Sequence, residues 1–373
     1  MGLTKYKLGE FVSTYNLKCG IPDLTENDVS GVNRDKELFA PSHQVGSNTS
    51  NYKVVPPGYF ACNLMHVGRD KVLPIAMNHS EANCIVSPAY TIFSFDGKGA
   101  LLPDYFFIYL KSEERDRYFW FHTDASVRDG MSWDVFCDLE IEVPSIKIQQ
   151  KYVDIYNAMT ANQKCYEDSL EDLKLACDAE LENLKVESIP RIALGKLFDV
   201  VDERNSHGEC ISAMGINISK SFMESKASTG ELKNYKLVKP GQFAFSGMQT
   251  GRDKCIRIAL YDQEGQIAIS PAYTVLESIN DAVDSNYLMM LFEREESDRL
   301  GWFLSDSSIR SNLDLDRFFE IKVPIPNESI MKSLGNMRKV LRERILINER
   351  MKAQIKDICP ILIKGSLEEA SKA

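Results

Sequence analysis

The sequence predicts an α+β protein: two duplicated mixed α/β domains separated by a long antiparallel pair of helices, a coiled coil with pseudo-twofold symmetry. Three observations carry this expectation. A series of short motifs occurs twice in the same order, each copy closes on a strand-like alternation before a proline, and each copy is followed by a long stretch with apolar residues at steps of three and four. The expected organisation is a first domain over 1–144, a central helix over 145–189, a second domain over 190–326, a helix over 327–364 and a polar tail over 365–373.

In the first domain, Tyr52-Lys53-Val54-Val55-Pro56-Pro57-Gly58-Tyr59-Phe60 matches Tyr235-Lys236-Leu237-Val238-Lys239-Pro240-Gly241-Gln242-Phe243, 183 residues on. At the same spacing, Gly68-Arg69-Asp70-Lys71 matches Gly251-Arg252-Asp253-Lys254, and Ser87-Pro88-Ala89-Tyr90-Thr91 matches Ser270-Pro271-Ala272-Tyr273-Thr274. The register then slips by one. Asp116-Arg117, Trp120-Phe121 and Ser126-Val127-Arg128 meet Asp298-Arg299, Trp302-Phe303 and Ser308-Ile309-Arg310. Ordered matches of this length mean a duplicated domain. Pro57-Gly58 and Pro240-Gly241 predict turns. The spacing predicts helices over 104–121 and 286–303, and period-two alternation predicts strands running into Pro144 and Pro324.

Between Pro144 and Pro190 there is neither proline nor glycine, and Ile148, Tyr152, Ile155, Met159, Tyr166, Leu170, Leu173, Cys177, Leu181 and Leu184 form an apolar stripe. Ile330, Leu334, Met337, Leu341, Ile345, Asn348, Met351, Ile355 and Ile358 follow the same steps in a second series, which Pro360 is expected to end, with Gly365 opening the tail. Residues 145–187 hold five lysines against nine acids, and 327–364 hold nine Lys/Arg against four acids. Opposite signs on two striped helices favour pairing them with each other.

Composition excludes several classes. With 44% hydrophobic and 26% charged residues in 373, the chain is a folded protein. No apolar run reaches the roughly 18 residues of a membrane span. The start, Met1-Gly2-Leu3-Thr4-Lys5-Tyr6, resembles neither a signal peptide nor a myristoylation signal, and nine scattered cysteines without a Cys-x-x-Cys pair suggest a reducing, cytoplasmic location. No metal or cofactor is expected. Ser87-Pro88-Ala89-Tyr90 and Ser270-Pro271-Ala272-Tyr273 differ from the Asn/Asp-Pro-Pro-Tyr of amino-methyltransferases in the first and third positions. There is no Gly-rich strand–loop–helix for S-adenosylmethionine and no phosphate-binding loop for ATP, so a non-catalytic chain is expected. A stand-alone methyltransferase and a coiled-coil protein scaffold are the competing readings.

Taken together, these motifs resemble the specificity subunits of type I restriction–modification systems. The resemblance spans essentially the whole chain, through the duplicated Tyr…Pro-Gly-x-Phe…Ser-Pro-Ala-Tyr domain and the long helix after each copy. The family's Pro-x-x-Glu-Gln-like helix start is met loosely, by Gln149-Gln150 after Pro144 and by Pro326-Asn327-Glu328. The resemblance implies two target-recognition domains that each read one half of a bipartite double-stranded DNA site, and long helices that measure the spacer. It also implies two docked methyltransferase subunits, with restriction/translocase subunits joining them.

Residues alike in both copies cannot distinguish two different half-sites, so base reading is expected where the copies diverge and are polar. The candidates are Asn33, Arg34, Lys36, Ser47, Asn48 and Asn51 in 31–51, and Asn205, Ser206, Lys220, Lys226 and Lys233 in 205–234; these residue types match base edges. For the repeated Gly-Arg-Asp-Lys two readings stay open. Arg69, Lys71, Arg252 and Lys254 hold phosphate, or the segment is a β-turn with its Asp paired to the neighbouring Arg. Arg128 and Arg310 are further phosphate candidates. The net charge of −10 opposes DNA binding unless basic patches are local and partners supply part of the phosphate clamp.

Overall fold

The protein is described by a computed structural model over residues 3–40, 45–95, 99–124, 130–186, 189–225, 232–248, 250–280, 282–306 and 311–372, with the side chains of residues 66, 69, 70, 185 and 186 left aside. It divides into two compact units: Met1–Tyr166 with Asn348–Ala373, and Glu167–Ile347.

Unit 1 begins with β1 (Thr4–Lys7), β2 (Val12–Tyr15), β3 (Gly31–Val32), β4 (Leu38–Phe39), β5 (Lys53–Val55) and β6 (Phe60–Cys62). Next come α1 (Val67–Asp70), β7 (Ile75–Met77), β8 (Cys84–Val86), β9 (Thr91–Phe95), α2 (Pro103–Leu110), α3 (Glu113–Phe121), α4 (Trp133–Asp138) and β10 (Glu140–Val143), before the long α5 (Ile146–Val186). The main sheet is antiparallel in the order β2-β9-β6-β7. Its Phe60 and Phe93 stack, and Phe106 of α2 packs edge-on against Phe60. β1 pairs with β10, so both ends of the domain close at the root of α5.

Unit 2 repeats the plan with β11 (Arg191–Ala193), β12 (Phe198–Val201), β13 (Ala213–Ile216), β14 (Phe222–Glu224), β15 (Lys236–Val238) and β16 (Phe243–Ser246). It continues through α6 (Thr250–Asp253), β17 (Arg257–Leu260), β18 (Ile267–Ile269), β19 (Thr274–Ser278), α7 (Ser285–Phe292), α8 (Glu295–Leu304), α9 (Leu315–Glu320), β20 (Lys322–Pro324) and the long α10 (Glu328–Lys372). β12-β19-β16-β17 reproduces the first main sheet, and β11-β20 reproduces β1-β10. The duplication read from the motifs is thus a duplication of topology. The Pro-Gly turns are as expected: Gly58 and Gly241 sit at φ +78° and +88°, where a Cβ is disfavoured, and the turns are closed by the Tyr59 N–H donating to the Pro56 carbonyl and the Gln242 N–H to the Lys239 carbonyl. Each expected single helix before the motif Trp-Phe is in fact two, α2–α3 and α7–α8. In unit 1 Ser112 ends the first and caps the second by accepting from the Arg115 N–H.

Both long helices pair antiparallel within each unit. In unit 1 the first part of α5, through Val153 and Tyr156, packs with Cys359, Leu362 and Ile363 of α10. In unit 2 Cys177, Leu181 and Leu184 of α5 pack with Met331 and Leu334 of α10. Lys151 pairs with Glu369 at 2.7 Å, against the net signs of the two helices. Much of the opposite charge instead meets the domain bodies: Arg338 of α10 is buried in a bidentate pair with Glu293, and Glu182 of α5 pairs with Arg294.

One boundary is corrected. The helix expected over 327–364 with a polar tail runs on to Lys372, with Pro360 inside it. The missing proline N–H lies on an exposed face, where water can take the freed carbonyl, while Cys359, Leu362, Ile363, Ser366 and Ala370 continue a buried face. Gly365 is a close-approach point: a Cβ there would stand 3.2 Å from the Tyr152 hydroxyl.

Candidate nucleic-acid interface

The polar segment 31–51 is anchored by a five-residue hairpin loop between β3 and β4. Asn33 Oδ1 accepts from the Glu37 N–H, and its backbone N–H donates to the Glu37 carbonyl. Unit 2 has the same loop between β13 and β14: Asn217 Oδ1 accepts from the Ser221 N–H, and its N–H donates to the Ser221 carbonyl. The fourth loop residue is Lys36 in one and Lys220 in the other, both left-handed at φ 64° and 57°. Neither lysine lies on the surface. Lys36 is 3% exposed, with Nζ 2.7 Å from Asp116 Oδ1 and 3.1 Å from the Leu73 carbonyl. Lys220 is 5% exposed, with Nζ 2.6 Å from Asp298 Oδ2. Burial pushes the Lys36 ammonium below its usual range, opposed by the Asp116 carboxylate. For either lysine to touch a base would require breaking a buried ion pair.

Asp116 and Asp298 are the hubs of this arrangement. Beyond the lysine, Asp116 accepts from the Leu73 N–H and Asp298 from the Ile256 N–H, which fixes the chain just after the Gly-Arg-Asp-Lys segment. The hairpin loop, that segment and the first turn of α3 or α8 therefore converge on one carboxylate per unit. The Asp116/Asp298 match says nothing of this role by itself; what marks the frame in the sequence is the recurrence of Val32-Asn33-x-x-Lys36 as Ile216-Asn217-x-x-Lys220, 184 residues on, which lies outside the motifs aligned above. That recurrence was the available signal. The tyrosines of the Ser-Pro-Ala-Tyr motifs are occupied in the same region: Tyr90 Oη accepts from the Val32 N–H and Tyr273 Oη from the Ile216 N–H.

Gly-Arg-Asp-Lys forms a one-turn helix in both copies, α1 and α6, rather than a simple β-turn. In unit 2 Asp253 does pair with Arg252, at 3.1 Å, and also with Arg257. Those two guanidinium groups hold the Asp253 carboxyl below its usual range. The Arg69 side chain lies outside the described residues. The closing lysines are again left-handed, Lys71 at φ 52° and Lys254 at φ 51°. Each lays its ammonium over an indole: Lys71 Nζ is 4.8 Å from the Trp120 ring centre and Lys254 Nζ 4.7 Å from that of Trp302.

The remaining candidates separate. Arg34, Ser47, Asn48 and Asn51 are exposed; Asn51 Oδ1 accepts from Lys18, and Asn48 Oδ1 accepts from the Ser50 N–H and hydroxyl. Asn205 is 1% exposed, its amide spent on Cys210 and the Leu232 carbonyl, while Ser206 and Lys233 are exposed. Arg128, Lys226 and Arg310 lie outside the described residues. Gln149, read as part of a family helix start, is fully buried: it bonds the Ala100 and Pro144 carbonyls and accepts from the Leu102 N–H, locking α5 to the chain before α2. Among the described residues no three His, Cys, Asp or Glu side chains are grouped to hold a metal, and no helix is long and apolar enough to cross a membrane.

No protein-family model and no curated protein matches the sequence. Among solved structures, the chain is similar to the type I restriction–modification system S subunit from M. genitalium, with 14% identity, 98% of this chain and 96% of that chain covered, and a TM-score of 0.56. It also aligns with the HsdS subunit from Thermoanaerobacter tengcongensis, at 12% identity, 98% and 96% coverage and a TM-score of 0.38. A third alignment is to a chain from a study of complex assembly and conformational transition of the type I R-M system, at 13% identity, 99% and 97% coverage and a TM-score of 0.47. The fold likeness rests on the first of these. Two α+β units of one topology, each completed by parts of both long helices, make up this chain, and it has the fold of the type I restriction–modification system S subunit from M. genitalium.

Proposed function

We propose that the chain reads a bipartite DNA site, one half with each unit, as the non-catalytic specificity subunit of a type I restriction–modification complex. The observation that carries this reading is the repeated head: one carboxylate hub rigidifies the same hairpin in both units, while the exposed residues around it differ. A rigid common frame with variable polar loops is what two readers of unlike half-sites need. Arg34, Ser47, Asn48 and Asn51 in unit 1, and Ser206 and Lys233 in unit 2, remain the proposed base readers, with Arg252 a proposed phosphate contact; Lys36 and Lys220 are assigned to the frame. The long helices would set the unread spacer. Adenine methylation and cleavage would belong to two methyltransferase subunits and to restriction/translocase subunits, in the cytoplasm. The test is co-expression with a methyltransferase subunit followed by mapping of methylated adenines. A bipartite motif with a fixed gap is expected, and replacing unit 1 should change one half only. Methylation at a continuous motif, or a change in both halves, would overturn the reading.

A further inference from the structure

The two hairpins framed by Lys36 and Lys220 end in tips of opposite chemistry. At the second loop position unit 1 has Arg34 and unit 2 has Ile218; both are exposed, Ile218 at 63%. The backbone beneath them is the same in both units. An Asn side chain closes the loop, a left-handed lysine follows, and a buried ammonium–carboxylate pair holds it down. A buried charge pair adds little net stability and serves instead to fix one geometry. What it fixes here is the placing of residue 34 or 218. One frame with two unlike tips suits a ligand of constant shape and variable edges, which describes a DNA duplex better than a protein.

Arg34 stands between two acids, and neither takes it. Asp35 accepts from Lys356 Nζ of α10 at 2.8 Å, and Glu37 Oε2 accepts from Asn33 Nδ2 at 3.2 Å. The Lys356 hydrogen bond holds the Asp35 carboxyl below its usual range. Among the described residues the Arg34 guanidinium has no hydrogen bond, ion pair or ring contact. In unit 2 the cations surround the loop instead. Arg342 donates to the Ser221 hydroxyl, Arg257 donates to the Ile216 carbonyl, and Arg257 shares Asp253 with Arg252. Ile218 thus offers an aliphatic side chain among guanidinium groups, a surface suited to a phosphate backbone that carries an apolar group beside it.

We propose that the second position of each loop is where the heads tell their half-sites apart: Arg34 takes a guanine through N7 and O6, and Ile218 takes the C5-methyl of a thymine. These are the major-groove groups that match a free guanidinium and an aliphatic side chain. Lys356 is a positioning residue: by occupying Asp35 it keeps Arg34 from being neutralised within its own loop. The inference rests on the proposed bipartite reading and names the bases it reads.

The experiment uses the full chain co-expressed with a methyltransferase subunit, with methylated adenines mapped for each variant. The substituted side chains are exposed, so thermal unfolding should stay unchanged. Arg34→Ala should relax one G·C pair of the unit 1 half, by roughly ten- to a hundredfold, and leave the other positions as strict as before. Ile218→Ala should relax one A·T pair of the other half. Lys356→Ala should weaken the same G·C pair as Arg34→Ala, and Asp35→Ala added to it should restore the discrimination, a rescue that a merely structural ion pair would not show. Unchanged strictness, relaxation at a pair of the other kind, or the even weakening at all positions expected of a phosphate contact overturns the assignment of that residue while the bipartite motif stands. Absence of the rescue overturns the role of Lys356. A wild-type complex that methylates no bipartite motif overturns the proposed function and the inference together.

Discussion

Asp116 holds a buried ammonium and a backbone N–H with one carboxyl group, and Asp298 does the same in the second copy. Removing the acid leaves a lysine charge in a site that is nearly dry, whereas removing the lysine leaves a carboxylate still bonded to the backbone. Asp116→Asn and Asp298→Asn should therefore each destabilise by roughly 3–5 kcal/mol, and Lys36→Met and Lys220→Met by clearly less. Urea unfolding midpoints check the ranking. The reverse order would mean that the lysines act elsewhere. Because the lysines are internal, their Met variants should also leave the salt dependence of DNA binding by the assembled complex unchanged. A fall of about 0.9 in the log–log slope for each lysine removed would place that lysine on phosphate after all.

At the scale of elements, the last turns of α10 are as much a part of unit 1 as its sheets. Cys359, Leu362, Ile363 and Ala370 are buried there, and the Ser366 hydroxyl is 2.6 Å from that of Tyr105, whose own pKa burial pushes up to about 12. Deleting residues 359–373 exposes an apolar face worth roughly 1.5–3 kcal/mol for each of Leu362 and Ile363 alone, against a whole-domain stability of only ~5–15 kcal/mol. Unit 1 should become protease-sensitive while unit 2 stays protected, as hydrogen exchange would report. A second element-level test concerns the apolar seam, where Gln163 Nε2 donates to Asn348 Oδ1 at 2.9 Å in a buried position. Such polar pairs fix register rather than add stability. Asn348→Leu should cost about 1–3 kcal/mol, and Gln163→Leu added to it should recover most of that loss in a double-mutant cycle. Additive losses would show that the pair does not act as one unit.

For the whole molecule, a net charge of −10 predicts that the chain without partners binds DNA weakly, and that binding becomes strong and steeply salt-dependent only on assembly. Tight, salt-insensitive binding by the isolated chain contradicts this. The duplication and the two long helices were legible because motif order and apolar period are local signals. The helix end at Lys372 was not, since Pro360 is a strong local stop signal and the face that overrides it is completed by α2, hundreds of residues earlier in the chain. The frame role of Lys36 was hidden for a similar reason: its acid lies 80 residues away, and a lysine in a polar loop looks the same from sequence whether its ammonium points out or in. The interlaced make-up of the units also bears on inheritance. Unit 1 is encoded by two separate stretches, 1–166 and 348–373, and unit 2 by the stretch between them. A single crossover in the gene that replaces only the upstream stretch delivers a foreign head onto a resident C-terminus, so viable recombinants should arise mainly among lineages whose terminal faces around Leu362, Ile363 and Ser366 are interchangeable.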